Sequence, residues 1–134
     1  MYRTVLLFFV LVLALGSFGG CATMENAGRN QKLQLQLSSY DHTVRWGDLN
    51  EMYGYVKPGE TPLRIPEGLD NIRVTEYEEV GPRTEAGSDR IRRRVKIQYL
   101  HRDRQVVRTL IDEQVWEYDP ELEQWFRVNP PPEF

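Results

Sequence analysis

The chain holds one cysteine, two histidines and no excess of basic residues. Each shortage removes a class of protein. A single cysteine cannot close an internal disulfide, so burial and polar contacts must hold the fold together. His42 and His101 stand far apart, in no pattern with metal-ligand spacing, and no Gly-rich run has the form of a phosphate-cradling loop. Neither a metal nor a cofactor is therefore expected. The formal charge is −3, from 17 basic and 20 acidic residues. A nucleic-acid binder normally carries a basic excess that displaces counterions from phosphates, so no nucleic-acid partner is expected. Long apolar runs are missing too. The longest, Val5 to Leu15, is shorter than the roughly 20 residues a membrane helix needs.

What is present begins with an address. Met1-Tyr2-Arg3-Thr4 is a short positive head, Val5 to Leu15 is an unbroken hydrocarbon centre, and small residues follow. That order is a secretory signal. Its exit, Gly19-Gly20-Cys21, resembles the lipobox of bacterial lipoprotein precursors, with Phe18 standing where an aliphatic residue is usual. The resemblance implies that the Cys21 thiol takes a diacylglyceryl group, that the signal is cut before Cys21, and that the new amine is acylated, palmitate being a typical chain. It accounts for the lone thiol, and Ala22 in place of an Asp implies the periplasmic face of the outer membrane. Three acyl chains, at about 0.8 kcal/mol per buried methylene, would make the anchor permanent. Residues 1–20 are thus read as signal peptide, 21–30 as a flexible polar tether, and 31–134 as one domain. With Arg3 removed, 16 basic residues face 20 acidic ones, a charge of −4.

Within the domain the hydrophobic period changes once. Leu33, Leu37, Tyr40 and Val44 share one helical face. Gly47 is expected to stop that helix in a left-handed conformation, and Asp48 with Glu51 forms a capping-box pattern for a second helix. Leu49, Met52, Tyr53 and Val56 give this helix its apolar face, which Pro58-Gly59 ends. His42 reads as a surface residue. Residues 57–71, with three prolines and two glycines, read as loop, with at most a turn of helix around Ile65 to Leu69.

After that the period is two. A strand is expected from Ile72 to Val80 with a bulge near Glu76, and a long one over Ile91 to His101. The latter places Ile91, Arg93, Val95, Ile97, Tyr99 and His101 toward the helices. A reversal at Asp103 leads to a strand within Gln105 to Tyr118, a turn at Asp119-Pro120-Glu121, and a last strand over Gln124 to Val128. The row Arg92, Arg94, Lys96 reads as a solvated face whose charges meet Glu76, Glu78 or Glu79, in preference to a polyanion site. Trp116, Tyr118, Trp125 and Phe126 read as cross-strand aromatic pairs. The fold class is α+β, with N-terminal helices packed on a curved four-stranded antiparallel sheet, cone-like, behind a signal peptide.

Helix, Trp46-Gly47-Asp48 corner, helix, Pro-rich loop and four strands resemble the nuclear transport factor two-like fold. The stretch Ser39 to Asp48, the run Val106 to Tyr118 and the ending Gln124 to Val128 with Pro132-Glu133-Phe134 carry that likeness. It is also similar to small uncharacterised proteobacterial lipoproteins. The resemblance implies a cone in which Tyr40, Tyr99, His101, Thr109 and Asp112 are the candidate polar lining residues. Members of this fold include isomerases, dehydratases and non-enzymatic modules, so the fold does not fix a function. The leading expectation is a lipid-anchored, non-catalytic binding or envelope-associated accessory module. The alternatives are an isomerase- or dehydratase-like enzyme using Asp112 or His101 on a small apolar ligand, and a homodimeric interaction protein. The expected partners are the membrane, through the lipid, and a second copy or an envelope protein.

Overall fold

The computed structural model describes residues 20–59 and 63–134. The secretory-signal expectation falls on residues that lie outside these. Among the described residues, no helix is long and apolar enough to cross a membrane. The chain divides into two compact units, Met1–Gln31 and Lys32–Phe134.

Helix α1 runs from Gly20 to Trp46. Its stretch 22–30, expected as an irregular tether, is helical instead, and almost every residue of it is exposed. Within it Arg29 pairs with Glu25 one turn earlier, and no proline interrupts the ladder. From Lys32 onward the helix has a buried stripe, Leu33, Leu37, Tyr40 and Val44, all at 5% exposure or less. His42 is exposed.

Gly47 ends α1, but not by adopting the left-handed conformation, for it is absent from the glycines with positive φ. Its amide bonds to the Thr43 carbonyl, and a Cβ there would stand 3.0 Å from that same oxygen. The corner needs glycine for space. Asp48 then caps a 3₁₀ helix over Leu49–Tyr55, its carboxylate accepting from the Asn50 amide. Leu49, Met52 and Tyr53, with Val56 just beyond, are buried as the apolar spacing requires. A second 3₁₀ turn, Leu69–Asn71, follows a left-handed Gly68.

The sheet comprises β1 (Ile72–Glu79), β2 (Thr84–Glu85), β3 (Arg90–His101), β4 (Val107–Asp119) and β5 (Gln124–Arg127). Its main path is the antiparallel order β1-β3-β4-β5, with the two-residue β2 paired to the start of β3. The architecture is α+β, two helices on a curled four-stranded antiparallel sheet that forms a half-barrel, consistent with a cone. The register of β1 on β3 shifts between Val74 and Glu76, which is the expected bulge. Beyond β5 the prolines cannot donate to a ladder. Asn129 substitutes for one: its side chain accepts from the Val115 amide and donates to the Glu113 carbonyl.

The core lies between the α1 stripe, the first 3₁₀ helix and the concave face of the sheet. Ile91, Val95, Ile97 and Tyr99 enter it from β3, Trp116 from β4 and Trp125 from β5. Tyr40 meets the edge of Trp116 at 5.3 Å between ring centres, and Tyr118 pairs with Trp125 across the strands at 5.6 Å.

A buried polar relay as the candidate site

The concave face also holds polar side chains, and they form one connected chain. Alternation along β3 puts Arg93 on the inner face, and alternation along β4 does the same for Asp112, Gln114 and Trp116. Arg127 joins them from β5. All five side chains are buried, Arg93 and Arg127 to 1% side-chain exposure and Asp112 to 3%.

Arg127 and Asp112 form a two-pronged pair, with Nη1–Oδ2 at 2.9 Å and Nη2–Oδ1 at 2.6 Å. The remaining donors of Arg127 reach the Tyr40 hydroxyl and the carbonyls of Asn129 and Pro130. Burial pushes the Tyr40 phenol far above its usual range, and the Arg127 charge only partly opposes this. Burial also disfavours the charge on Arg127, but its bonds to Asp112 and Tyr40 more than offset this, and its affinity for its proton is raised.

Gln114 links this pair to a second centre. Its amide nitrogen donates to Asp112 at 2.8 Å and to the Tyr77 hydroxyl at 3.0 Å. Its oxygen accepts from Arg93 Nε at 2.8 Å and from the Trp116 indole at 3.0 Å. Arg93 turns its two terminal nitrogens to Asp41 of α1, and Nη1 also reaches Glu79 of β1. Tyr77 donates to Asp41 at 2.8 Å. Burial pushes the Tyr77 phenol up as well. The Arg83 guanidinium, followed by that of Arg93, holds the Glu79 carboxyl below the usual carboxylate range.

Chemically, the relay is closed on itself and withdrawn from solvent. Both oxygens of Asp112 accept bonds, one of them two, and the guanidinium facing them is charged. A general base needs a free lone pair aimed at a substrate proton. Asp112 accepts three bonds, and the lone pair left on Oδ1 belongs to a side chain only 3% exposed.

Of the five residues proposed to line the cone, Tyr40 and Asp112 come together on Arg127. Tyr99 is buried at the opposite end of β3, its ring edge-on to Phe134 at 5.1 Å, with His101 beside it at 6.1 Å. His101 is half-buried and borders a surface recess with Arg64, Glu133 and Phe134. Thr109 is not a lining residue. It faces outward with Val107 and Ile111 and is exposed, because alternation on β4 reserves the inner face for even-numbered positions. Arg93, an arginine on the otherwise apolar inner face of β3, is buried and bonded on every nitrogen. Arg127, Gln114, Tyr77 and Asp41 were not singled out. The available signal was alternation itself, which sets Asp112 and Gln114 beside Trp116 on a face that must be buried.

The outer face is simpler. Lys96 pairs with Glu78 at 2.8 Å and Arg90 with Glu117 at 2.6 Å. Arg92 and Arg94, between them, form no ion pair among the described residues. No group of three or more His, Cys, Asp or Glu able to hold a metal occurs among the described residues. Cys21 is exposed on α1 as a free thiol. No protein-family model, no curated protein and no solved structure matches this chain.

Proposed function

We propose that the protein is a lipid-anchored module of the bacterial envelope, held by acylated Cys21 at the periplasmic face of the outer membrane, whose domain binds a partner without chemistry of its own. The single observation that supports the second half is the enclosure of the relay, whose carboxylate is buried and clamped. Where an isomerase of the cone type would keep a carboxylate free, Asp112 is clamped by Arg127 and Gln114. Three surface recesses among the described residues border other side chains, and neither Tyr40 nor Asp112 lines any of these three. The helix, glycine corner and curled sheet support placing the domain among nuclear transport factor two-like modules, many of which bind without catalysis. The anchor reading is supported by the lipobox-like Gly19-Gly20-Cys21 and by an otherwise unexplained single thiol.

The test has two arms. Bacterial cells expressing the full chain and fed labelled palmitate should label it and retain it in the membrane fraction, and Cys21→Ala should abolish both. Absence of label from the wild-type chain would sink the anchor. For the domain, crosslinking in intact cells should give a discrete adduct that an Asp112→Asn variant with unchanged near-ultraviolet circular dichroism retains. Loss of the adduct in that variant would return Asp112 to a direct role.

A further inference from the structure

A recess of 760 Å³ runs along the exposed edge of β1, between the end of α1 and the β3–β4 reversal. Its floor is apolar and buried, made by Val44, Leu49 and Ile72. Over it stands Trp46, a large aromatic left 70% exposed. The Arg45 guanidinium lies 3.9 Å from the centre of that ring and donates to the Val74 carbonyl at 2.7 Å. Arg45 thus stiffens the indole from one side and leaves its other surface to solvent.

The charge of the groove departs from that of the chain. Arg45, Arg73 and Arg102 line it and, among the described residues, no Asp or Glu does, although acidic residues outnumber basic ones overall. Arg73 and Arg102 are exposed, and neither makes an ion pair among the described residues. Register makes them neighbours: Arg73 opposes Leu100, and Arg102 lies two residues further along β3 and its turn, on the same face. Diagonal positions of this kind lie about 7–8 Å apart, within reach of one shared anionic segment. Gln105, also on the groove, holds a left-handed φ of 53° without being a glycine. Such backbone is retained where its surroundings over-determine it.

Resting on the reading of the domain as a binding module, we propose that this groove takes an extended acidic segment of a partner protein. Trp46 is its apolar anchor, and Arg73 and Arg102 bind its carboxylates. Trp and Arg are the residues that most often dominate such contacts. Recognition runs through side chains and not by adding a strand. The outward Val74 carbonyl is already taken by Arg45, and the bulge between Val74 and Glu76 breaks the edge of the ladder. A flat membrane surface fits less well, because the apolar floor is recessed.

Titrating the full chain with a short fluorescein-labelled peptide of alternating Glu and Leu, and reading anisotropy, tests this. Tight binding is expected, with Arg73→Glu/Arg102→Glu weakening it by about 100-fold and Trp46→Ala by about tenfold. Arg92→Glu/Arg94→Glu, an equal change of charge elsewhere, should leave it within about twofold. Iodide quenching supplies an independent readout, since Trp116 and Trp125 are buried and only Trp46 is open to it. Bound peptide should shield it. Equal binding by the charge-reversed groove overturns the site but leaves the module reading standing. So does binding only to phosphatidylglycerol vesicles, which would name a membrane instead. No binding of the peptide by the wild-type chain overturns the acidic partner, whereas the module reading fails only with the crosslinked adduct.

Discussion

The two buried arginines of this domain look alike in burial and differ in what surrounds their partners. Arg127 and Asp112 are both withdrawn from water, at 1% and 3% side-chain exposure. Arg93 is equally buried, but its carboxylates, Asp41 and Glu79, keep 34% and 27% of their side-chain surface. The first centre is an ion pair sealed inside the sheet. The second is a buried cation held by half-wet anions from α1 and β1. Removing one partner from a sealed pair strands a charge that water cannot reach, whereas a half-wet anion recovers its hydration. The same residue type on one concave face should therefore carry different energies.

The sharpest way to break this comparison is Arg127→Met. It leaves the buried Asp112 carboxyl without its cation, beside Gln114, and it frees the carbonyls of Asn129 and Pro130. A loss of about 3–5 kcal/mol is expected, read as a fall in the urea midpoint. Adding Asp112→Leu should recover part of it, because the stranded charge goes with the carboxylate. If the double variant is no more stable than Arg127→Met alone, the loss comes from packing or from the tail and not from the isolated charge. Arg93→Met should cost less, about 1–3 kcal/mol, mostly through its lost bonds to Asp41 and to the Gln114 oxygen, which keeps the Trp116 indole. Equal losses at the two arginines would remove the distinction between sealed and half-wet centres.

How far these centres were legible in the sequence follows from which periods are clean. The stripe Leu33, Leu37, Tyr40, Val44 and the inner face of β3 could be read directly, because apolar residues repeat at the period of each element. The bulge near Glu76 was legible from the broken alternation of β1. On β4 the pattern inverts. Val107 and Ile111 are exposed, while Asp112 and Gln114 are buried, since the inner face is a polar relay and not an oily one. Hydropathy cannot assign the faces of such a strand, so it does not separate Thr109 from Asp112 although they point opposite ways. Arg127 was hidden for the same reason. Its role depends on a carboxylate 15 residues earlier, brought within reach only by the β4–β5 register, which pairs Arg127 with Trp116. Gly47 shows a further limit: the residue and its place at the corner were evident, but close approach to Thr43 is a tertiary fact.

Salt sharpens the comparison with a smaller effect. Screening acts on charges that solvent reaches, over about 10 Å at 0.1 M ionic strength, and acts little on sealed pairs. Raising salt from low to molar should therefore shrink the penalty of Arg93→Met by several tenths of a kcal/mol and leave that of Arg127→Met unchanged. Urea midpoints of the two variants at both salt concentrations, each referred to the wild type, measure this. A parallel response would place both centres in the same dielectric environment.

The smallest expected effect is a pH dependence confined to the half-wet centre. Arg83, and then Arg93, hold the folded-state pKa of Glu79 below its ordinary 4.5. A carboxylate whose pKa is lower folded than unfolded stabilises the fold above the unfolded value, and that contribution is lost as pH falls through the folded one. The stability difference between the wild type and Glu79→Gln should accordingly be constant above pH about 5 and shrink as the pH drops below about 4. Arg83 donates to both Glu79 oxygens, at 2.6 and 2.8 Å, so Arg83→Met should weaken the dependence while leaving Arg93 one carboxylate contact at Glu79 and its pair with Asp41. Denaturant midpoints stepped between pH 6 and 3 read this directly. A difference that grows toward low pH would mean that Glu79 is held in its protonated form, and the second centre would then rest on Asp41 alone.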